Sequence, residues 1–168
     1  MYGIDLMNEP EMCFDDHTTG GPLMNEEGMV NFIKAMYDAI KQINKNVQVS
    51  CGCLKIKTAQ KISEHLDFAD YHIYVNKKMI NDDDDKPMHD YRTNDFNDKP
   101  CIIGECGMQH DNVNKQILRD NEVKVVENLV KEAKDKGYKA VLPWGITHDQ
   151  DFMGDDNRKV VLQWLKSQ

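Results

Sequence analysis

The feature that most constrains this chain is an alternation. Short, β-prone apolar runs take turns with longer stretches whose apolar residues recur every three or four positions. Repeated strand–helix units produce this pattern, because consecutive parallel strands need a right-handed crossover, usually a helix. Strands are expected at Tyr2–Met7, Val47–Gly52, Ala69–Val75, Pro100–Glu105 and Lys139–Ile146. A first helix, from about Glu26 to Asn44, would bury Val30, Ile33, Met36, Tyr37, Ile40 and Ile43 as one stripe, with Asn25 as its N-cap. A second runs from about Thr58 to Leu66 with Thr58 as cap. A third, from about Val113 to Lys136, has Val123, Val126, Leu129, Val130 and Ala133 on one side and Gly137 as its stop. A fourth spans about Asn157 to Lys166. The 168 residues read as a single domain, 1–168.

Charge narrows the partners. Twenty-one Lys and Arg against 29 Asp and Glu leave a formal net charge of −8, the wrong sign for nucleic acid or an anionic membrane surface. No apolar run approaches the roughly 20 residues that cross a bilayer. Five cysteines, an odd number, speak for reduced thiols, and Cys51, Cys101 and Cys106 sit in or beside apolar runs where Cys packs as a small hydrophobe. The pair Cys51-Gly52-Cys53 has half the form of a metal site, but no second Cys or His pair stands at ligand spacing. The run Asp82-Asp83-Asp84-Asp85, within an aperiodic segment from Asn76 to Asp98, lacks the alternating ligands and Gly turn of a calcium loop and reads as a solvated face. No cofactor motif and no metal site is expected.

Strand parity says where the polar groups go. Successive side chains alternate between faces, so Asp70, His72 and Tyr74 share one face, Tyr71, Ile73 and Val75 the other. The same count groups Asp5, Met7 and Glu9, then Cys101, Ile103 and Glu105, then Ala140, Leu142 and Trp144. In a parallel β/α barrel the outer face packs on helices and the inner face carries chemistry at the carboxyl ends of the strands. Glu9, His72, Tyr74, Glu105 and Trp144 all fall late in their strands.

These residues carry a family resemblance. Tyr2-Gly3-Ile4-Asp5-Leu6-Met7-Asn8-Glu9-Pro10 resembles the fourth strand of clan A glycoside hydrolases, above all family five cellulases and mannanases, whose Asn-Glu-Pro holds the acid/base. His72-Ile73-Tyr74 resembles the His-x-Tyr of the sixth strand, Ile103-Gly104-Glu105-Cys106-Gly107 the seventh with its nucleophile, and Pro143-Trp144 the tryptophan that ends the eighth. The order matches along essentially the whole chain. Cys106 departs from the pattern, standing where the family usually has an aromatic residue.

The resemblance implies a partial (β/α)8 TIM barrel of about five parallel strands with outer helices. It implies retaining hydrolysis of a β-linked oligo- or polysaccharide, endo-glucanase or mannanase in type. Glu9 would protonate the leaving oxygen and Glu105 attack the anomeric carbon, from carboxyls roughly 5–5.5 Å apart. Asn8 would hydrogen-bond the sugar 2-hydroxyl, which strict alternation forbids unless the strand bulges at its end. Tyr74 would hold the Glu105 carboxylate, His72 would bind substrate or orient the carboxylates, and Trp144 would stack on a pyranose ring.

A whole barrel has eight strands and typically about 250 residues, so the chain is expected to be the carboxyl-terminal part, strands four to eight. The absent units would include an Arg and a His of the family site. Two open sheet edges would then seek a partner: a complementing N-terminal fragment or a strand-exchanged homo-oligomer. Hydrolysis would be weakened in such a piece. A non-catalytic sugar-binding or assembly fragment and a Cys- or Asp-based metal-binding domain are the competing classes. A secreted parent enzyme fits this reading, and a signal segment would then lie outside the present sequence.

Overall fold

The structure, a computed structural model, describes residues 3–13, 24–75, 96, 98–108 and 128–143. The elements follow the expected alternation: β1 (Gly3–Asn8), α1 (Glu26–Ile43), β2 (Gln48–Cys53), α2 (Ile56–Ile62), β3 (Ala69–Val75), β4 (Cys101–Met108), a helix α3 covering residues 128–135, and β5 (Val141–Pro143). The strands make a five-stranded sheet in chain order, β1-β2-β3-β4-β5, with parallel pairing of β1 to β2, β2 to β3 and β4 to β5. This is the parallel α/β class that the alternation predicts. Among the described residues no helix is long and apolar enough to cross a membrane.

The chain divides into two compact units: Met1–His72 with Arg92–Ile102, and Ile73–Tyr91 with Ile103–Gln168. In the first, Asn25 caps α1 by accepting the Gly28 N–H at 2.8 Å. The α1 face that packs is centred on Met29 and Ile33, both fully buried. The expected stripe needs correction: Met36 is exposed and Ile43 is 87% exposed, both falling with exposed Phe32 on the flank of that face. Asp67 ties this helix to the sheet. Its carboxylate accepts Val49 N–H at 2.8 Å and Tyr37 O–H at 3.2 Å and pairs with Lys41 at 2.5 Å.

Thr58 is not a cap. The second helix starts two residues earlier, at Ile56, and Thr58 is buried inside it. Ile56, Ala59 and Ile62 are buried, and extending the helix back to Ile56 brings that side chain onto the same face. The cap position, Lys55, makes no side-chain cap bond; its own N–H donates to the carboxylate of Glu11 at 2.9 Å, from a 3-10 turn at Pro10–Cys13. At the other end a 3-10 turn, Ser63–His65, leaves carbonyls of Ser63, Glu64 and Leu66 that accept from the Lys99 ammonium. Burial lowers the Lys99 pKa from its ordinary value.

In the second unit α3 ends as expected at Gly137, whose φ of 85° a residue with a Cβ adopts only at a cost. Gly137 N–H donates to Lys134 O at 3.0 Å and Tyr138 N–H to Ala133 O at 2.9 Å, the paired bonds of a Schellman stop. Leu129, Val130 and Ala133 are buried along one side of this helix, and Ile103 N–H joins Ala140 O at 2.9 Å as β4 meets β5. The expected helix at Asn157–Lys166, the acidic run Asp82–Asp85, Val123 and Val126 lie outside the described residues.

Candidate active site

Glu9 is set by the way β1 ends. The register pairs Asp5 with Ser50 but Asn8 with Gly52, so β1 takes three steps where β2 takes two. That one-residue bulge puts Asn8 at a register position on the same face as Asp5, which uninterrupted alternation would not do. Glu9 follows with φ 51°, a left-handed conformation that is uncommon for a residue with a Cβ. Two backbone bonds hold it: Glu9 N–H to Gly52 O at 2.8 Å, and Met12 N–H to Glu9 O at 3.0 Å, which opens the 3-10 turn beginning at Pro10. The turned backbone brings the Glu9 carboxylate to His72, with Oε1 2.9 Å from Nδ1. His72 is buried at 3% exposure and Glu9 is half-buried.

This pair shares one hydrogen bond whose polarity follows the protonation of Glu9. A carboxylate accepts from Nδ1–H; a carboxylic acid donates to a bare Nδ1. Either arrangement fixes the carboxyl rotamer against a ring that is itself packed.

Glu105 sits in an equivalent irregularity of the second unit. Ile103 pairs with Val141 and Cys106 with Pro143, so β4 also takes three steps against two, and Gly104 and Glu105 occupy the extra length. The alternation that groups Cys101, Ile103 and Glu105 breaks here, because Cys106 takes the register position on the Ile103 side and is fully buried. Burial pushes the Cys106 thiol up to about 12. Tyr74 O–H donates to Glu105 Oε2 at 2.7 Å, a well-formed O–H···O bond.

Each of the two carboxylates is thus adjacent to a bulge and tethered by a residue of β3, His72 for Glu9 and Tyr74 for Glu105. His72 and Tyr74 are two residues apart in that strand. Trp144 lies outside the described residues. Asp5 and Gly52 were not among the expected site residues, yet Asp5 Oδ1 accepts the Gly52 N–H at 3.0 Å beside the first bulge. An isolated Gly inside a strand run is the sequence signal for such a place.

Cys51 and Cys53 are buried free thiols that donate to backbone carbonyls, Cys51 to Met7 O at 3.3 Å and Cys53 to Cys51 O at 3.4 Å. Hydrogen bonding to Cys51 and then burial hold the Cys53 thiol far above its ordinary pKa. Such thiols behave as packing groups.

No family model and no curated protein sequence matches the chain. Solved structures do. The β-1,4-mannanase of the common sea hare Aplysia kurodai is 19% identical, with a TM-score of 0.65 over 97% of this chain and 52% of its own. The β-mannanase of the blue mussel Mytilus edulis is 23% identical, with a TM-score of 0.65 over 100% and 54%. The β-1,4-D-mannanase of Cryptopygus antarcticus is 18% identical, with a TM-score of 0.67 over 98% and 52%. The fold matches part of the α/β barrel of these neighbours. The chain spans about half the length of each of these three mannanases.

Proposed function

We propose that this chain carries the two catalytic carboxylates of a retaining glycoside hydrolase acting on a β-linked polysaccharide, with a β-mannan as the first substrate class and a β-glucan as the second. The observation that carries the reading is the pairing just described: two glutamates, each beside a strand bulge, each tethered by a hydrogen bond to β3. The mannanase-like fold supports the same chemistry and the choice of mannan.

In this reading the Glu105 carboxylate attacks the anomeric carbon as the glycosidic C–O bond breaks, and the Glu9 proton passes to the leaving oxygen. The Glu9 carboxylate then takes a proton from water, whose oxygen displaces Glu105 from the same carbon and restores both groups. Two inversions give net retention. Tyr74 keeps the nucleophile aimed, and His72 holds the acid/base through both proton transfers. Asn8 would bind the sugar 2-hydroxyl, and Trp144 would stack on a pyranose face.

The test is covalent trapping. Incubation with an activated 2-deoxy-2-fluoro-β-mannoside, or its gluco counterpart, is expected to add one sugar by intact mass, mapping to Glu105 and absent in Glu105→Gln. Sugar binding by calorimetry with no adduct from either reagent would instead indicate a non-catalytic binding protein.

A further inference from the structure

Gly52, a residue outside the proposed catalytic set, is where three constraints on Glu9 meet. Its carbonyl accepts the Glu9 N–H at 2.8 Å, anchoring the left-handed backbone of that residue. Its own N–H donates to Asp5 Oδ1 at 3.0 Å across the bulge. Its missing side chain is filled by the His72 ring: a Cβ at position 52 would stand 2.5 Å from Nε2 and 2.9 Å from Cε1, with Asp5 Oδ2 at 3.3 Å. Separations under 3.0 Å force a movement, and His72 is a buried ring rather than the free end of a flexible chain. Another edge of that ring, at Nδ1, meets Glu9 at 2.9 Å.

The need for glycine here is one of space, not of torsion. Among the described glycines only Gly137 has a positive φ, so Gly52 has a backbone that other residues adopt freely. Substitution would therefore act through the His72 ring and what the ring touches.

We infer that Gly52 is a positioning residue for the acid/base Glu9: its carbonyl holds the Glu9 backbone, and the clearance above its Cα seats His72 where Nδ1 meets the Glu9 carboxyl. The inference rests on the proposed role of Glu9, and it predicts a defect in proton transfer more than in sugar binding.

The test uses the full chain with Gly52→Ala, His72→Ala and the double variant. Gly52→Ala is expected to slow turnover of glycosides with poor alkyl leaving groups at least tenfold, with little change in KM. The bond-cleaving burst on a dinitrophenyl glycoside, whose leaving group needs no proton, should be nearly unchanged. In the His72→Ala background the added methyl has no ring to displace, so the two effects should be strongly non-additive. A readout independent of turnover is the 15N signal of the His72 ring, which should respond to Glu9→Gln in the parent protein and lose that response in Gly52→Ala. Equal loss on both leaving groups, or a ring response preserved in Gly52→Ala, overturns the inference. So does failure of both the single and double variants to fold, which would make Gly52 a residue of the fold alone. A lost ring response in a protein that forms no adduct on Glu105 would sustain the positioning of Glu9 and reject the hydrolase reading.

Discussion

The Tyr74 hydroxyl donates to Glu105 Oε2 at 2.7 Å. A phenol at this distance restricts the rotation of the carboxyl group, which the nucleophile role proposed for Glu105 requires. Tyr74→Phe keeps the ring and removes only the donor. Hydrogen bonds to charged groups contribute about 1.5–3 kcal/mol, so trapping by the 2-fluoro glycoside should slow by roughly 10- to 100-fold. The circular dichroism spectrum should match the parent. An unchanged trapping rate would show that the bond does nothing for reactivity.

Glu11 is a buried carboxylate with a structural task. Oε1 accepts Lys55 N–H where α2 begins, while Oε2 is buried with no hydrogen-bond partner among the described residues. Glu11→Gln keeps an acceptor for Lys55 without a charge and should cost less than about 1 kcal/mol. Glu11→Ala strands the N–H and should cost about 1–3 kcal/mol. Urea unfolding midpoints separate the two, and an alanine variant as stable as the glutamine one would refute the capping role.

Asp67 joins α1 to β2, and its partners predict a graded series. Asp67→Asn retains a carbonyl oxygen for Val49 N–H but loses the charge that pairs with Lys41. Asp67→Ala removes the carboxylate that Val49, Tyr37 and Lys41 share, leaving Lys41 its bond to the Val47 carbonyl. The alanine variant should lose about 2–4 kcal/mol and the asparagine variant clearly less. Thermal melts of both variants test the order.

The cysteines predict both reactivity and pH dependence. Cys13 is half-buried while Cys51, Cys53, Cys101 and Cys106 are buried. Iodoacetamide at pH 8 should therefore modify Cys13 alone until the protein is unfolded, as peptide mass mapping will read. The thiols of Cys53 and Cys106 and the phenol of Tyr37 all have raised pKa values in the fold, Tyr37 through burial and then Asp67. A raised value means that the folded chain keeps a proton which the unfolded chain releases. Stability is complete below pH 9.0, the unfolded thiol value, and declines above it, toward about 12 for Cys106. Each thiol adds a slope of about 1.4 kcal/mol per pH unit in that window. Urea midpoints that hold constant from pH 8 to pH 10.5 would contradict this.

Much of the framework was legible because it follows from period alone. β3 was expected at Ala69–Val75 and lies there, Asn25 caps α1, and Gly137 stops α3, since a strand run, a capping amide and a left-handed glycine are local signals. The start of α2 is not legible, because its cap residue, Lys55, makes no side-chain cap bond and is held through its own N–H by Glu11, 44 residues away in sequence. The exposed Met36 and Ile43 show the limit of a helical stripe, which marks a face without saying how widely the sheet covers it. At the carboxylates, parity turns Asn8 outward and so implies a bulge at the end of β1, and the register contains one between Asp5 and Asn8. No such conflict of parity marks the second bulge, and β4 runs on past Glu105 to Met108.

The extra residue in β1 makes the spacing of this short stretch matter separately from its composition. Leu6 and Met7 could be exchanged for other apolar residues with consequences mainly for packing. Pairing β1 in step with β2 beyond Asp5, with every residue kept and none bulged out, would set Met7 opposite Gly52 and still satisfy the ladder. It would also turn Asn8 to the other face and carry the Glu9 N–H past the Gly52 carbonyl that holds it. Here a frame of one residue, read in space, decides which side chains meet.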